Sequence, residues 1–122
     1  MSTKILYIED NPDNQKLVYR LLSAHGFEVH LADSGPDGLE FVKTNIPDLI
    51  LMDISMPQMD GYTVTKIMRN LSLLDDVPII ALTANVMQGD RERTIEAGCN
   101  GYIQKPIDID TFPNQVQQFL TP

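Results

Sequence analysis

The stretch KILYIEDNP, residues 4–12, decides the fold, because a nearly continuous apolar run stops abruptly at two acids and a helix-start signal. Such a run predicts a strand that is covered on both faces of a sheet. Asn11 can cap a following helix, and Pro12 suits its first position, where no amide hydrogen bond is lost. Glu9 and Asp10 therefore mark the carboxyl end of a buried strand that turns directly into a helix.

The same strand-then-helix pattern recurs along the chain. The apolar runs that predict strands are Lys4–Ile8, Glu28–Ala32, Asp48–Met52, Val77–Leu82 and Gly101–Ile103. Helically spaced apolar side chains lie between and after them, in the stripes Leu17, Val18, Leu21 and Leu22; Leu39 and Val42; Val64, Ile67, Met68 and Leu71; and Ile109, Phe112, Val116, Phe119 and Leu120. This alternation predicts an α/β fold, a (βα)5 doubly wound parallel sheet of five strands, as one domain over residues 1–122.

The fourth helical segment, Val86–Glu96, differs from the others. It contains Gly89, a run of charges and a thin apolar face. Helix propensity and burial are both low there, which makes it a candidate for a movable element. An ordinary surface helix is the alternative.

Local signals predict the remaining helix boundaries. The second helix should begin at a capping box formed by Ser34 and Asp37, and the first and fourth helices should end at Gly26 and Gly98. The last helix should start near Asp110–Phe112.

Composition restricts the class of protein. The net charge of −8 argues against a nucleic-acid-binding surface, which is normally basic. Hydrophobic residues make up 43% of the chain, but no run approaches the length of a membrane helix and the N-terminus lacks the parts of a secretory signal. The lone Cys99 excludes an internal disulfide and suits a reducing cytoplasm, so a cytoplasmic protein without a membrane partner is expected.

Chemically active side chains end four of the predicted strands. Glu9 and Asp10 follow the first strand, Asp53 the third, Thr83 the fourth and Lys105 the fifth. In an open parallel sheet of the flavodoxin-like order 2-1-3-4-5, ligands bind beyond the carboxyl ends of strands one and three, where strand order reverses. The carboxylates should therefore face one crevice.

Clustered carboxylates repel one another unless a cation neutralises them. Their all-oxygen chemistry suits Mg²⁺, or Mn²⁺ in its place. Asp10 and Asp53 are the expected direct ligands, Glu9 acts through a water molecule, and the backbone carbonyl of Ser55 can supply a further oxygen. The alternative for Asp10 is a helix cap, a task for which Asn11 is better placed.

Asp53 is the expected nucleophile, because a carboxylate can attack phosphorus and form an acyl phosphate. Lys105 offers a positive charge to one phosphoryl oxygen, and the Thr83 hydroxyl, with the amide of Ala84, offers donors to another. The structural alternatives are a solvated surface lysine at 105 and an ordinary strand-end threonine at 83. By general frequency, the Lys105–Pro106 peptide bond would be trans.

The chain resembles the receiver domains of two-component response regulators from about Lys4 to Leu120. The motifs that carry the resemblance are Glu9-Asp10-Asn11, Leu49-Ile50-Leu51-Met52-Asp53, Met56-Pro57-Gln58-Met59-Asp60-Gly61, Ala81-Leu82-Thr83-Ala84 and Lys105-Pro106. The stretch after Thr83 looks most like receivers of phosphorelays and hybrid kinases. The opening segment and residues 98–107 look like small single-domain regulators of the DivK type.

The resemblance implies a role for each site residue. Asp53 accepts a phosphoryl group from a histidine on a sensor kinase or a histidine phosphotransfer protein, and Tyr102 is a switch aromatic that turns inward as Thr83 moves. The Lys105–Pro106 bond is expected to be cis, against the general frequency. Ser55 and Asn85 line the approach of an attacking water and tune dephosphorylation.

The resemblance also implies how the signal leaves the domain. The helix 4–strand 5–helix 5 surface should switch to contact a downstream protein, and the first helix should dock the histidine donor. A monomer or a weak phosphorylation-dependent dimer is expected. Such a domain promotes its own phosphorylation and dephosphorylation but is a signalling domain and not an enzyme.

Three alternatives remain open at this point. A phosphatase of the haloacid dehalogenase type also uses an Asp nucleophile, but it requires a second Asp where this chain has Ser55. A flavodoxin-like or degenerate receiver would work without phosphorylation, although the full acidic set argues against that. The chain could also be a receiver excised from a hybrid kinase, whereas Met1 and the short tails favour a stand-alone regulator.

Overall fold

The computed structural model describes residues 2–54, 56, 61–84 and 91–120. The strands within these ranges are β1 (Lys4–Ile8), β2 (Glu28–Ala32), β3 (Leu49–Asp53), β4 (Ile79–Thr83) and β5 (Gly101–Gln104). The helices are α1 (Pro12–Ala24), α2 (Gly35–Val42), α3 (Gly61–Arg69), α4 (Arg91–Ala97) and α5 (Phe112–Leu120), and a short 3-10 helix spans Ser72–Leu74.

The five strands form one parallel sheet in the order β2-β1-β3-β4-β5. The predicted (βα)5 alternation and the 2-1-3-4-5 order are therefore confirmed. β1 and β3 are neighbours, with Ile8 opposite Met52. Asp53 lies opposite Leu82, and Thr83 lies opposite Gln104. The register thus brings the polar ends of β1, β3, β4 and β5 to one edge of the sheet.

The boundaries of three strands differ from the prediction by one or two residues, and β4 also ends one residue later, at Thr83. β3 is Leu49–Asp53 instead of Asp48–Met52, because Asp53 still pairs with β4. β4 begins at Ile79 instead of Val77, because Pro78 has no amide to give to the ladder and the Val77 amide bonds to the Leu74 carbonyl. β5 extends one residue further, to Gln104.

Alternation along the strands divides the core into two layers. Side chains of Ile5, Tyr7, Leu49 and Leu51 pack with α1 and α5, through residues such as Val18 and Phe112. Side chains of Leu6, Ile8, Ile50 and Met52 pack with α2 and α3, through residues such as Val42 and Val64, and with Ala97 of α4. The sheet is thus covered on both faces, as the continuous apolar runs predict.

The helix-start predictions are confirmed in atomic detail. Asn11 Oδ1 accepts hydrogen bonds from the amides of Asp13 and Asn14, at 2.9 and 3.1 Å. Ser34 Oγ accepts from the Asp37 amide at 3.2 Å. These bonds satisfy amides that have no partner inside the first helical turn.

The helix-end predictions are confirmed as well, with two differences in the apolar stripes. Gly26 and Gly98 adopt positive φ angles of 97° and 108° just after α1 and α4.

Ile109 precedes α5 and is exposed, so it is not part of the last helical stripe. Leu17 is also partly exposed on α1. Of the predicted segment Val86–Glu96, residues 86–90 lie outside the described residues.

Arg69 binds the segments at the opposite edge of the sheet. Its guanidinium donates to the carbonyl oxygens of Gly98, Leu74 and Val77 and to Asn100 Oδ1, at 2.6 to 3.0 Å. Burial lowers the pKa of this guanidinium from its ordinary value. α3, the turn before β4 and the turn before β5 are thereby joined through a single side chain.

In the described part of the chain, every helix is too short or too polar to cross a membrane. Cys99 is buried as a free thiol beside the hydroxyl of Thr65, at 3.8 Å. Burial raises the pKa of this thiol.

Candidate functional site

The polar side chains at the carboxyl ends of the strands converge on one buried pole of the sheet. Glu9 is 1% exposed, Asp53 3% and Thr83 3%. A carboxylate is almost never buried to this extent unless it is paired. At this end of the sheet, burial therefore opposes the negative charge of Glu9 and Asp53.

Three carboxylates form the acidic part of the site. Glu9, Asp10 and Asp53 each offer one oxygen, and these oxygens all lie within 4.8 Å of one another. Glu9 and Asp53 are buried, whereas Asp10 is exposed. The structure thus brings together the acids that the sequence places at the ends of β1 and β3.

Lys105 supplies a positive charge to this cluster. Its Nζ donates to Asp53 Oδ1 at 2.8 Å and lies 3.9 Å from Glu9 Oε1. The side chain is 23% exposed, so the pair is largely shielded from water. The alternative of a solvated surface lysine is wrong, because this ammonium is directed inward at the acids.

The carboxylate of Glu9 is fixed by residues that sequence analysis missed. Tyr7 Oη donates to Glu9 Oε1 at 3.0 Å, and Asn14 Nδ2 donates to the same oxygen at 2.9 Å. Gln15 Nε2 donates to the Glu9 carbonyl and to Asp33 Oδ1. A hydroxyl inside an otherwise aliphatic strand was the available signal, because Tyr7 and Glu9 are two residues apart and so share one face.

Burial and neighbouring charge shift the pKa values of Glu9 and Tyr7. Burial, and then the hydrogen-bonded and negatively charged Asp53 carboxylate, raise the pKa of Glu9 from 4.5 to about 7. Asn14 and Lys105 act in the opposite direction. Burial and the Glu9 carboxylate raise the pKa of Tyr7 well above its ordinary value, so its hydroxyl stays a hydrogen-bond donor.

Strand alternation separates the site residues into two groups. Tyr7 and Leu51 face α1 and α5, so Glu9 and Asp53, two residues further along, continue that face. Lys105 follows Ile103 on the same face. Thr83 follows Ala81, on the face toward α3 and α4, where Tyr102 also packs. The acids and the ammonium thus share one side of the sheet, and the hydroxyl and the aromatic ring share the other.

The two groups are joined through backbone. The Lys105 amide donates to the Thr83 carbonyl at 2.8 Å. Tyr102 is half-buried, and Ala84, just beyond Thr83, is exposed. The Lys105–Pro106 peptide bond is cis, as the family resemblance implies and the general frequency does not. Ser55 and Asn85, predicted as a carbonyl ligand and as tuning positions, lie outside the described residues.

The family is shown by comparison with known proteins. The family model for the response regulator receiver domain matches residues 5–117. The polar-differentiation response regulator DivK of Brucella ovis is 39% identical over 120 residues, covering 98% of each chain. The DivK of Brucella anthropi is 38% identical with the same coverage.

Solved structures agree with this relationship. The receiver domain of a sensor histidine kinase from Pseudomonas aeruginosa is 37% identical with a TM-score of 0.91 over 100% of both chains, and that structure has a magnesium ion coordinated in its active-site cleft. A chemotaxis response regulator of Vibrio cholerae is 26% identical with a TM-score of 0.92, covering 97% of this chain and 98% of that one. With the sheet order and the buried acidic pole already described, these matches show that the chain belongs to the response regulator receiver domains of two-component signalling systems.

Proposed function

We propose that Asp53 accepts a phosphoryl group from a phosphohistidine of a sensor kinase or a histidine phosphotransfer protein. One observation carries the proposal. The Asp53 carboxylate is buried at the end of β3, 2.8 Å from the Lys105 ammonium and beside two further acids. A carboxylate so placed is directed at one crevice beside a positive charge, as a nucleophile requires.

The transfer would proceed by displacement at phosphorus. A carboxylate oxygen of Asp53 forms the new bond to phosphorus, the bond from phosphorus to the histidine nitrogen breaks, and that nitrogen keeps the electron pair. The Lys105 ammonium would turn partly away from Asp53 Oδ1, and its positive charge would then neutralise negative charge on the incoming phosphoryl oxygens. The Thr83 hydroxyl and the Ala84 amide would donate to another oxygen, on the α4 side of the site.

The donor set fits a divalent cation of the Mg²⁺ or Mn²⁺ class. Among the described residues, three carboxylates stand near a single ammonium, so negative charge is in excess, and the side-chain ligand atoms are oxygens. Asp10 and Asp53 would hold the ion directly, Glu9 through a water molecule, and the Ser55 carbonyl would be a further ligand. When bound, the ion offsets charge on the phosphoryl oxygens.

We further propose that phosphorylation changes the surface formed by α4, β5 and α5. Thr83 and Tyr102 lie on the face that α4 covers. In α4 the buried Thr94 hydroxyl has no hydrogen-bond partner among the described residues, which disfavours this arrangement of the helix. Arg93 lies 4.5 Å over the Tyr62 ring and contributes a cation–π contact that favours it. Because one of these contacts disfavours the present position of α4 and the other favours it, a small change at Thr83 can shift the equilibrium between two arrangements of the helix.

The donor would dock beside α1. A pocket of about 350 Å³ opens there, with Leu17, Pro106 and Ile107 as apolar lining and Lys105 at the acceptor side. The partial exposure of Leu17 is consistent with a contact surface. The downstream target would be a protein that reads the α4–β5–α5 surface, and the cytoplasmic location, the monomeric or weakly dimeric state and the single-domain organisation remain predictions.

Phosphorylation by a small donor tests the proposal directly. The purified protein is incubated with acetyl phosphate and Mg²⁺ and run on a phosphate-affinity gel. The wild type should give a shifted, alkali-labile species that Asp53→Asn lacks. Asp76→Asn is the matched control, because Asp76 is an exposed acid before β4, at the opposite edge of the sheet, and this variant should shift like the wild type.

Two results would contradict the assignment. One is a wild type that shows no shifted species at saturating Mg²⁺. The other is an Asp53→Asn variant that shifts as completely as Asp76→Asn. The first result would favour a receiver that works without phosphorylation, and the second a different acceptor residue.

A further inference from the structure

We propose that Tyr7 is a positioning residue of the metal site, because its buried hydroxyl fixes the Glu9 carboxylate in the orientation that cation binding uses. This inference rests on the metal-dependent part of the proposed function. It assigns a role to a core side chain that touches neither the cation nor the phosphoryl group.

The first step of the argument is the cost of placing a hydroxyl at this position. Tyr7 is 0% exposed, and its ring packs in the apolar layer between the sheet and α1 and α5. A phenylalanine would fill the same space without a polar atom. A buried hydroxyl without a partner costs about 1–3 kcal/mol, so the hydroxyl is tolerated here because it donates to Glu9 Oε1 at 3.0 Å.

The second step is the convergence of donors on a single oxygen. Asn14 Nδ2, from the first turn of α1, also donates to Glu9 Oε1, at 2.9 Å. Lys105 Nζ lies 3.9 Å from the same oxygen. These three groups, two hydrogen-bond donors and one ammonium, therefore converge on Oε1 and fix the direction of the carboxylate beside the acidic crevice.

The third step is the backbone. Gln15 Nε2 donates to the carbonyl of Glu9, and the Glu9 amide donates to the Ala32 carbonyl at 3.0 Å. With main chain and carboxylate both held, the side chain has little rotational freedom left. A flexible glutamate would lose conformational entropy when it binds the ion. Here that entropy is already lost when the protein folds, so it does not weaken ion binding.

Residues that hold a ligand through hydrogen bonds change metal affinity by about 10–100-fold when they are removed. Glu9 is expected to act through water, so the low end of that range applies. Tyr7→Phe should raise the dissociation constant for the ion by about tenfold. Since the carboxylate itself remains, saturating metal should restore the phosphorylation rate, so that the apparent affinity changes and the maximal rate does not.

The experiment measures Mn²⁺ binding by electron paramagnetic resonance of the free ion, without any phosphoryl donor. Tyr7→Phe and Asn14→Ala should both bind Mn²⁺ more weakly than the wild type. Asn14 is only half-buried, so this second variant tests the same oxygen should the core substitution unfold the protein. Tyr19→Phe, which removes a hydroxyl from the exposed side of α1, should bind as the wild type does.

A double-mutant cycle separates positioning from general effects on the core. In a Glu9→Ala background, Tyr7→Phe should cause no further loss of Mn²⁺ affinity. An equal loss in both backgrounds would overturn the proposal, since the hydroxyl would then act through the core alone. Unchanged affinity in both Tyr7→Phe and Asn14→Ala, or a wild type that binds no Mn²⁺, would overturn it too.

This readout is independent of the acceptor assignment. Metal binding that depends on Tyr7, in a protein that acetyl phosphate does not modify, would contradict the phosphorylation proposal and support this one. Normal phosphorylation of Asp53 with metal affinity insensitive to Tyr7 would do the reverse.

Discussion

The charge of Glu9 should destabilise the metal-free protein at neutral pH. The pKa of Glu9 rises from 4.5 to about 7 on folding, mainly because the carboxylate is buried and then because it lies against Asp53. A group with a raised pKa in the folded state binds its proton more tightly there than in the unfolded chain. Stability is therefore lost as the pH rises from about 4.5 to about 7.

Glu9→Gln removes this dependence while it keeps an oxygen that can accept from Tyr7 and Asn14. With 1.36 kcal/mol for each unit of pKa, the wild type should be less stable than the variant by at most about 3 kcal/mol at pH 8. At pH 5.5 the same relation gives about 1 kcal/mol. The variant should thus be the more stable protein, and its advantage should grow with pH.

Urea unfolding followed by far-ultraviolet circular dichroism, in EDTA at both pH values, measures this difference. Glu40→Gln is the control, because Glu40 forms an exposed pair with Lys43 and its removal should change stability little at either pH. Millimolar Mg²⁺ should narrow the gap, since the cation offsets the same charge. A Glu9→Gln variant that is no more stable than the wild type at pH 8, or equally stabilised at pH 5.5, would refute the reasoning.

Three further substitutions test other parts of the structure by the same unfolding assay. Lys105→Met removes the ammonium 2.8 Å from Asp53 and should destabilise the metal-free protein by about 1–3 kcal/mol, with Mg²⁺ restoring part of the loss. No loss of stability in EDTA would contradict this expectation. Thr94→Val replaces the buried hydroxyl that lacks a partner among the described residues and should stabilise by about 1 kcal/mol, whereas a loss of stability would indicate a hydrogen bond there. Arg69→Met leaves the carbonyls of Gly98, Leu74 and Val77 without this donor and should cost about 2–4 kcal/mol; a change below 1 kcal/mol would mean that water replaces the guanidinium.

The sequence was sufficient for most of the architecture, because alternating apolar runs and caps are local signals. The apolar run before Glu9 and the cap at Asn11 were predicted without any tertiary information, and both are present. The start of β4 was misplaced because Val77 is apolar and buried yet belongs to the preceding turn. Burial and strand pairing are different properties, and hydrophobicity reports only the first.

The acids and Lys105 were also predictable, since parallel strands carry their carboxyl ends to one edge. The support given to Glu9 by Tyr7 and Asn14 was missed, although the spacing of two residues places Tyr7 and Glu9 on one face of the strand. Tyr7 reads as one more apolar residue of a buried strand, and its hydroxyl gains meaning only when the angle of the ring and the position of α1 are known. The site residues divide between the two faces of the sheet by strand alternation. That division can be assigned only when the last residue of each strand is known.

The position of Lys105 has a consequence for how this protein is made. Lys105 follows the last strand, 52 residues after Asp53, so a ribosome releases the acids long before the ammonium that pairs with them. Until β5 joins the edge of β4, the nascent sheet would gather buried negative charge without its internal cation. Completion of the fold would then wait for the synthesis of β5, and a truncated chain that ends before β5 should remain open to proteolysis.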